Sequence, residues 1–164
     1  MLEVVRNRHS IRKYRDEEIP EDLIETLLRS AMQAPSARNL QPWEFIVIRK
    51  MKTLESIPEY HPYSSMVPHA GAAVLICGNT RRQEDPGYIA QDCSAAVQNL
   101  LLEAVNQGLG AVWLGVFPRK ERMEGMIELF DLPPHIIPVA LISIGWPAED
   151  PGFQDRYDQE KVHM

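Results

Sequence analysis

The run Ala72-Ala73-Val74-Leu75-Ile76-Cys77-Gly78 constrains this chain more than any other segment, because it carries no polar side chain. Successive residues of a strand point to opposite faces, so a strand with one wet face alternates apolar and polar residues. An unbroken apolar run predicts a strand buried on both faces. Three more segments read as strands: Trp43 to Ile48, Ala111 to Val116, and Ile136 to Ile144, the last interrupted by Pro138 and so near an edge at that point.

Helical spacing fills the intervals. A helix opens at Ile19-Pro20-Glu21-Asp22, where proline supplies a helical φ and two acids suit the positive end of the dipole. Leu23, Ile24, Leu27, Leu28 and Ala31 share one face, and Pro35 forces Ala34 out of the α region. Residues 51 to 68 hold a short helical stretch and a loop rich in Pro, Tyr and Ser. The longest helix spans about Tyr88 to Gln107, with Cys93, Ala96, Val97, Leu100, Leu101, Ala104 and Val105 on its apolar stripe. Leu102 widens that stripe, as suits a helix at the centre of the fold or in a dimer interface, and Gly108 supplies a left-handed stop. Met123, Met126, Ile127 and Phe130 mark a further helix face, and the tail from Pro147 to Met164 is polar and irregular. The alternation predicts an α/β or α+β sandwich, and the pattern by itself does not choose between them.

A chain of 164 residues allows one domain with a real core. The net charge of -6 argues against nucleic acid as the main partner. No run approaches the roughly 20 apolar residues of a membrane helix, and Met1 to Arg6 lacks an apolar leader core, so a cytoplasmic protein is expected. Cys77 and Cys93 read as buried small hydrophobes without a redox role. The five histidines stand in no metal-ligand spacing, so no catalytic metal is expected.

Three segments could carry chemistry. In residues 6 to 15, Arg-Asn-Arg-His-Ser-Ile-Arg-Lys-Tyr-Arg, five of ten are Lys or Arg in an acidic chain. Such a cluster either binds an anion, with Arg offering a two-pronged donor and Ser10 a hydroxyl, or is a solvated basic arm. Pro35-Ser36-Ala37-Arg38-Asn39-Leu40-Gln41-Pro42-Trp43 is a stiffened loop with polar groups able to meet the edge of a flat heterocycle. It reads equally as a plain turn whose Ser and Asn bond their own backbone. Gly108-Leu109-Gly110-Ala111-Val112-Trp113-Leu114-Gly115 is no dinucleotide fingerprint, because its glycines close a helix and lead into a strand. They read instead as a helix stop and a tight turn. No nucleophile elbow, phosphate loop or paired-carboxylate signature appears, so any enzyme here relies on a cofactor for its reaction.

In this order and spacing, Arg8-His9-Ser10-Ile11-Arg12, Pro35-Ser36-x-x-Asn39-x-Gln41-Pro42-Trp43 and Gly108-Leu109-Gly110…Trp113-Leu114-Gly115 resemble the nitroreductase family of FMN-dependent oxidoreductases. The resemblance implies an α+β three-layer sandwich, a central mixed β-sheet flanked by helices, with residues 1 to 164 as a single FMN-binding domain. It implies a homodimer with FMN at the subunit interface. Arg8 and Ser10 would grip the phosphate and ribityl end with His9 beside them, and Arg12 would face the pyrimidine edge. Pro35, Ser36, Ala37 and Asn39 would come from the partner subunit, Leu114 and Gly115 would lay their backbone against the ring, and Arg156 would complete the phosphate site. No residue of the chain would be catalytic in its own right, since the flavin carries the chemistry.

The implied activity is transfer of a hydride from NADH or NADPH through flavin to a nitroaromatic, quinone or similar small acceptor, with no nucleic-acid or membrane partner. A specialised flavoenzyme of the same fold, such as a flavin reductase or dehalogenase, and a non-catalytic flavin-binding redox sensor are the alternatives. Two departures from the family stand out: residues 51 to 88 lack an insertion that often covers the flavin, and Gln154 stands where some relatives have a basic residue.

Overall fold

The computed structural model describes residues 1–164. Strands β1 (Trp43–Ile48), β2 (Ala72–Asn79), β3 (Gly110–Gly115) and β4 (Ile136–Gly145) form one sheet in the order β1-β2-β4-β3. The helices are α1 (Glu3–Asn7), α2 (Glu21–Ala31), α3 (Met51–Tyr60), α4 (Pro86–Asn106) and α5 (Lys120–Phe130). Every strand pair is antiparallel. The mixed character expected of the sheet comes down to one parallel bridge, Ser10 to Ala111.

Burial of β2 on both faces sets the architecture. Ala72, Val74 and Ile76 pack with Leu27 of α2 and with Ile89, Val97 and Leu100 of α4. Ala73, Leu75 and Cys77 pack on the opposite face with Leu54 and Ile57 of α3 and Met126 of α5. The result is a three-layer sandwich, and antiparallel pairing makes it α+β rather than α/β. Pro138 lies where β4 outruns β3, whose pairing ends at Gly115 with Ala140. It pairs with Cys77 beside a register shift, so its missing N–H costs the ladder little.

Local chemistry corrects three expectations. Helix α4 begins at Pro86, ahead of Tyr88, because the Asp85 carboxylate accepts the N–H groups of Gly87 at 2.7 Å and Tyr88 at 3.3 Å. A carboxylate cap followed by proline in the first turn is a strong helix start. Gly108 provides the left-handed stop, with φ 73°, but Gly110 makes no tight turn. It opens β3, and a Cβ there would stand 2.7 Å from Cγ2 of Ile11. Helix α1 has no counterpart in the apolar pattern and buries none of its residues. No helix is long and apolar enough to cross a membrane.

Cys77 and Cys93 are buried and free, as their apolar neighbours imply. Burial pushes both thiols up to about 12, so neither forms the nucleophilic thiolate near neutral pH.

Close packing at Gly110 lets residues 10 to 15 lie across the edge of the sheet as a strap. Ile11 donates its N–H to Ala111 O at 3.0 Å, Arg15 to Trp146 O at 2.8 Å, and Ala148 to Lys13 O at 2.9 Å. The Tyr14 hydroxyl donates towards Ile11 O at 2.8 Å and Ser143 O at 3.2 Å, and burial raises its pKa to about 12, which keeps it a donor. Ile11 is buried, while Ser10 and Arg12 on either side of it are exposed.

Truncating the centre of the sheet, Leu141→Ala, should cost about 2–5 kcal/mol in denaturant unfolding, against less than about 1 kcal/mol for Val47→Ala on the exposed side of β1. Gly110→Ala should cost about 1–3 kcal/mol by overpacking Ile11. The double variant Gly110→Ala/Ile11→Ala should be less destabilised than the sum of its two single variants, since removing Ile11 relieves the clash. Additive effects would mean that the two residues do not press on each other.

Candidate functional site

The alternation around Ile11 turns Ser10 and Arg12 outward, and the tail folds back beside them. The Arg6 guanidinium lies 4.8 Å from the centre of the Phe153 ring, which ties the tail to the end of α1. A cleft of about 400 Å³ opens between the two segments, lined by Arg8 and His9 from one and by Gln154 and Arg156 from the other. Neither Arg8 nor Arg156 forms an ion pair. Asp155, the one carboxylate lining this cleft, accepts the N–H of Tyr157 at 3.0 Å.

Next along the strap, Ser10 and Arg12 line a second cleft of about 490 Å³. Glu149 borders it, but its Oε1 accepts the strap N–H groups of Arg12 at 2.6 Å and Lys13 at 3.2 Å. The Arg12 guanidinium is left without an ion pair. Arg12, Ser65 and Met66 also border a third cleft of about 450 Å³, which reaches Leu114 and Gly115. At Gly115 a Cβ would find no heavy atom within 4 Å, so the backbone there is open to approach.

The Gly115 carbonyl is held by two donors that line the same cleft. His61 Nε2 lies 3.0 Å from it and Arg122 Nη1 2.7 Å. His61 Nδ1 accepts the N–H of Tyr63 at 3.3 Å, so the ring proton sits on Nε2 and Nε2 donates. Burial, with Arg122 adding to it, holds the His61 pKa below the usual 6.5, so the ring is neutral at pH 7.

The loop after α2 stands apart. Pro35, Ser36, Ala37 and Asn39 border none of the three clefts. Arg38, Asn39 and Gln41 all adopt positive φ, at 52°, 56° and 47°, which non-glycine residues hold only when their surroundings insist. Ser36 Oγ accepts the Gln41 N–H at 2.9 Å, and Ala37 donates its N–H to the buried Asp92 carboxylate at 2.9 Å. Ser36 does bond the loop backbone as a plain turn would, whereas Asn39 accepts only from the Gln41 side chain, at 3.2 Å.

The chain therefore gathers Arg8, His9, Ser10, Arg12, Leu114, Gly115 and Arg156 along three clefts and leaves Pro35, Ser36, Ala37 and Asn39 elsewhere. Sequence reasoning missed His61, Tyr63, Asp92 and Arg122. Two of them left a trace: Asp92 is an acid beside the apolar stripe of α4, and Arg122 follows Arg119 and Lys120 into the first turn of a helix, where the dipole disfavours cations.

Comparison with known proteins places this arrangement. A family model described as the Nitroreductase family matches residues 5–146. A Methanothermobacter thermautotrophicus protein provisionally named NADH dehydrogenase/NAD(P)H nitroreductase is 48% identical over 164 residues, covering 100% of this chain and 86% of that protein. A crystal structure from Clostridium acetobutylicum, provisionally named an NADH oxidase, has a TM-score of 0.95 at 38% identity, covering 99% of this chain and 98% of that one. A Desulfovibrio desulfuricans structure, provisionally named a nitroreductase and solved with FMN, has a TM-score of 0.84 at 30% identity, covering 96% of this chain and 91% of that one. The matched residues hold the strap, the whole sheet and the third cleft, and on this footing the chain belongs to the nitroreductase family.

Proposed function

We propose that this chain is a flavin-dependent oxidoreductase that holds FMN and passes reducing equivalents from NADH or NADPH to a nitroaromatic, quinone or similar flat acceptor. One observation carries the reading: Arg8 and Arg156, from opposite ends of the chain, line one cleft unpaired, and Ser10 and Arg12, next along the strap, line a second that adjoins a third at the bare backbone of Gly115. That donor set fits FMN. Two guanidiniums free of carboxylates suit a phosphate, and an unobstructed glycine backbone suits a flat ring. The FMN-bound D. desulfuricans relative and the nitroreductase names of others support the same reading.

Bound FMN would supply the electron chemistry, taking two electrons from a reduced nicotinamide and giving them to the acceptor. The chain's part is binding and electrostatics. Arg8 and Arg156 would neutralise the phosphate, with Ser10 adding a hydroxyl and His9 lining the same end. Arg12, farther along, is the cation available to stabilise negative charge at the ring end. Leu114 and Gly115 would form the floor, and the donors on the Gly115 carbonyl keep that floor rigid.

Pro35, Ser36, Ala37 and Asn39 would reach the same FMN from a second subunit, in a homodimer of single-domain protomers. Their separation from the clefts within one protomer supports this, as does the exposed apolar surface at the termini: Phe153 is 47% and Tyr157 75% exposed, and α1 buries nothing. The strained loop would then be pre-shaped for a ligand that its own protomer does not present.

The deciding measurement is the visible spectrum of the purified protein with added FMN, followed by anaerobic titration with NADH and NADPH. Bound flavin bleached by either nucleotide is expected, and a protein that takes up no FMN would end this reading. Bound flavin that neither nucleotide reduces would point to a redox sensor. Arg8→Ala and Arg156→Ala should each weaken FMN binding by about 1.5–3 kcal/mol, the worth of a lost charge-assisted hydrogen bond; unchanged affinity in either would show that residue to be misplaced. FMN occupancy should also fall as the protein is diluted below its dimer dissociation constant. Full occupancy in a demonstrated monomer would overturn the shared site.

A further inference from the structure

We propose that Arg122 makes the third cleft selective for molecules bearing an oxyanion, either the carboxylate of an acidic acceptor or a phosphate of the dinucleotide reductant. The proposal rests on the flavin reading above and deepens it: Arg122 lines the same cleft as Leu114 and Gly115, the floor offered to the ring, and would meet what approaches a flavin held there.

Arg122 is fixed but not neutralised. Its Nη1 donates to Gly115 O at 2.7 Å, and its guanidinium carbon lies 5.2 Å from the centre of the Tyr63 ring. One carbonyl and one ring face orient the planar group, and its other N–H groups have no hydrogen-bond partner. No carboxylate pairs with it. On α5 the positions one turn away are Pro118, Arg119, Gly125 and Met126, so no acid on the helix can reach it. None of the residues lining the third cleft is Asp or Glu, while a second unpaired guanidinium, Arg12, lines it too. The chain as a whole carries 23 acidic residues against 17 basic ones, so two cations and no acid in one cleft run against its composition.

The position is also electrostatically unfavourable without a ligand. Arg119 at the cap and Lys120 and Arg122 in the first turn of α5 put three cations where the helix dipole favours anions, against one acid there, Glu121, which forms no ion pair with Arg122. Lys120 is relieved by Glu124 at 3.7 Å, and Arg122 is not. A small oxyanion in the cleft would supply the missing charge and meet the guanidinium fork with two parallel hydrogen bonds. A neutral aromatic would gain only stacking, against the partly exposed rings of Tyr63 and Trp113.

Isothermal titration of the FMN-loaded protein without turnover tests this. The titrants are two pairs: 4-nitrobenzoate against neutral 4-nitrobenzamide, and NADP⁺ or NAD⁺ against phosphate-free N-benzylnicotinamide. In at least one pair the anionic member should bind about tenfold tighter or better. Arg122→Gln should bring that ratio to within about twofold, and Arg122→Lys, which keeps the charge but loses the fork, should retain part of it. A preference confined to the first pair assigns the oxyanion to the acceptor, and one confined to the second assigns it to the reductant. Should Arg122→Gln fail to fold, Arg122→Lys and titration of the wild type at high salt remain, and screening should shrink the preference. Ratios near one in both pairs, or ratios untouched by substitution and by salt, would overturn the proposal. The same titrations on wild type and Arg122→Gln without added FMN keep the two readings distinct: failure to take up flavin ends the cofactor reading, while the part of the anionic preference lost in Arg122→Gln still reports on Arg122.

Discussion

Burial of the central sheet on both faces is the constraint from which the rest follows. β2 and the β3-flanked length of β4 spend alternate side chains on two helical layers, so neither face has room for a ligand. A site can then form only where the sheet ends. It forms at β3, whose outer side receives the strap at the Ser10–Ala111 bridge and whose far end stops at Gly115, short of the start of β4. The absence of a side chain at Gly110 lets Ile11 settle against the sheet, and the Tyr14 hydroxyl and the Arg15 and Ala148 amides lock the strap beside it. Ser10 and Arg12 face outward as a consequence of that anchoring.

Electrostatics completes what packing begins. Of the twelve arginines, Arg15, Arg29 and Arg49 pair with a carboxylate. Along the clefts the acids are engaged otherwise: Glu149 holds strap amides and Asp155 caps a turn in the tail. Arg8, Arg12, Arg122 and Arg156 are left with charge to offer a ligand. Because those acids bind backbone rather than guanidinium, one arrangement serves folding and leaves the cations free.

The elements were largely legible because each rests on local periodicity and punctuation. β1 occupies the residues its aromatic and β-branched run marks, and α2 begins at the acids that follow Pro20. The apolar stripe places the start of α4 at Tyr88, two residues late, because the Asp85-Pro86 cap that starts the helix lies outside the stripe. α1 was invisible for a related reason: a five-residue helix that buries nothing has no apolar face to display. Of the site, the basic strap stood out by composition, but composition cannot tell a paired arginine from a free one. His61 and Arg122 converge on one carbonyl from different elements, and no spacing announces that.

By itself, then, the sequence determined the layers and singled out the basic strap. A both-faces strand needs two covers, and short-range spacing encodes the helices that provide them. Only the tertiary structure decided the rest. It made the sheet antiparallel, brought Arg156 to the cleft that Arg8 lines, kept the Pro35–Asn39 loop away from the three clefts, and left Arg122 without an acid. Those outcomes depend on which distant groups meet, and such meetings are settled by packing and hydrogen bonding across the whole chain.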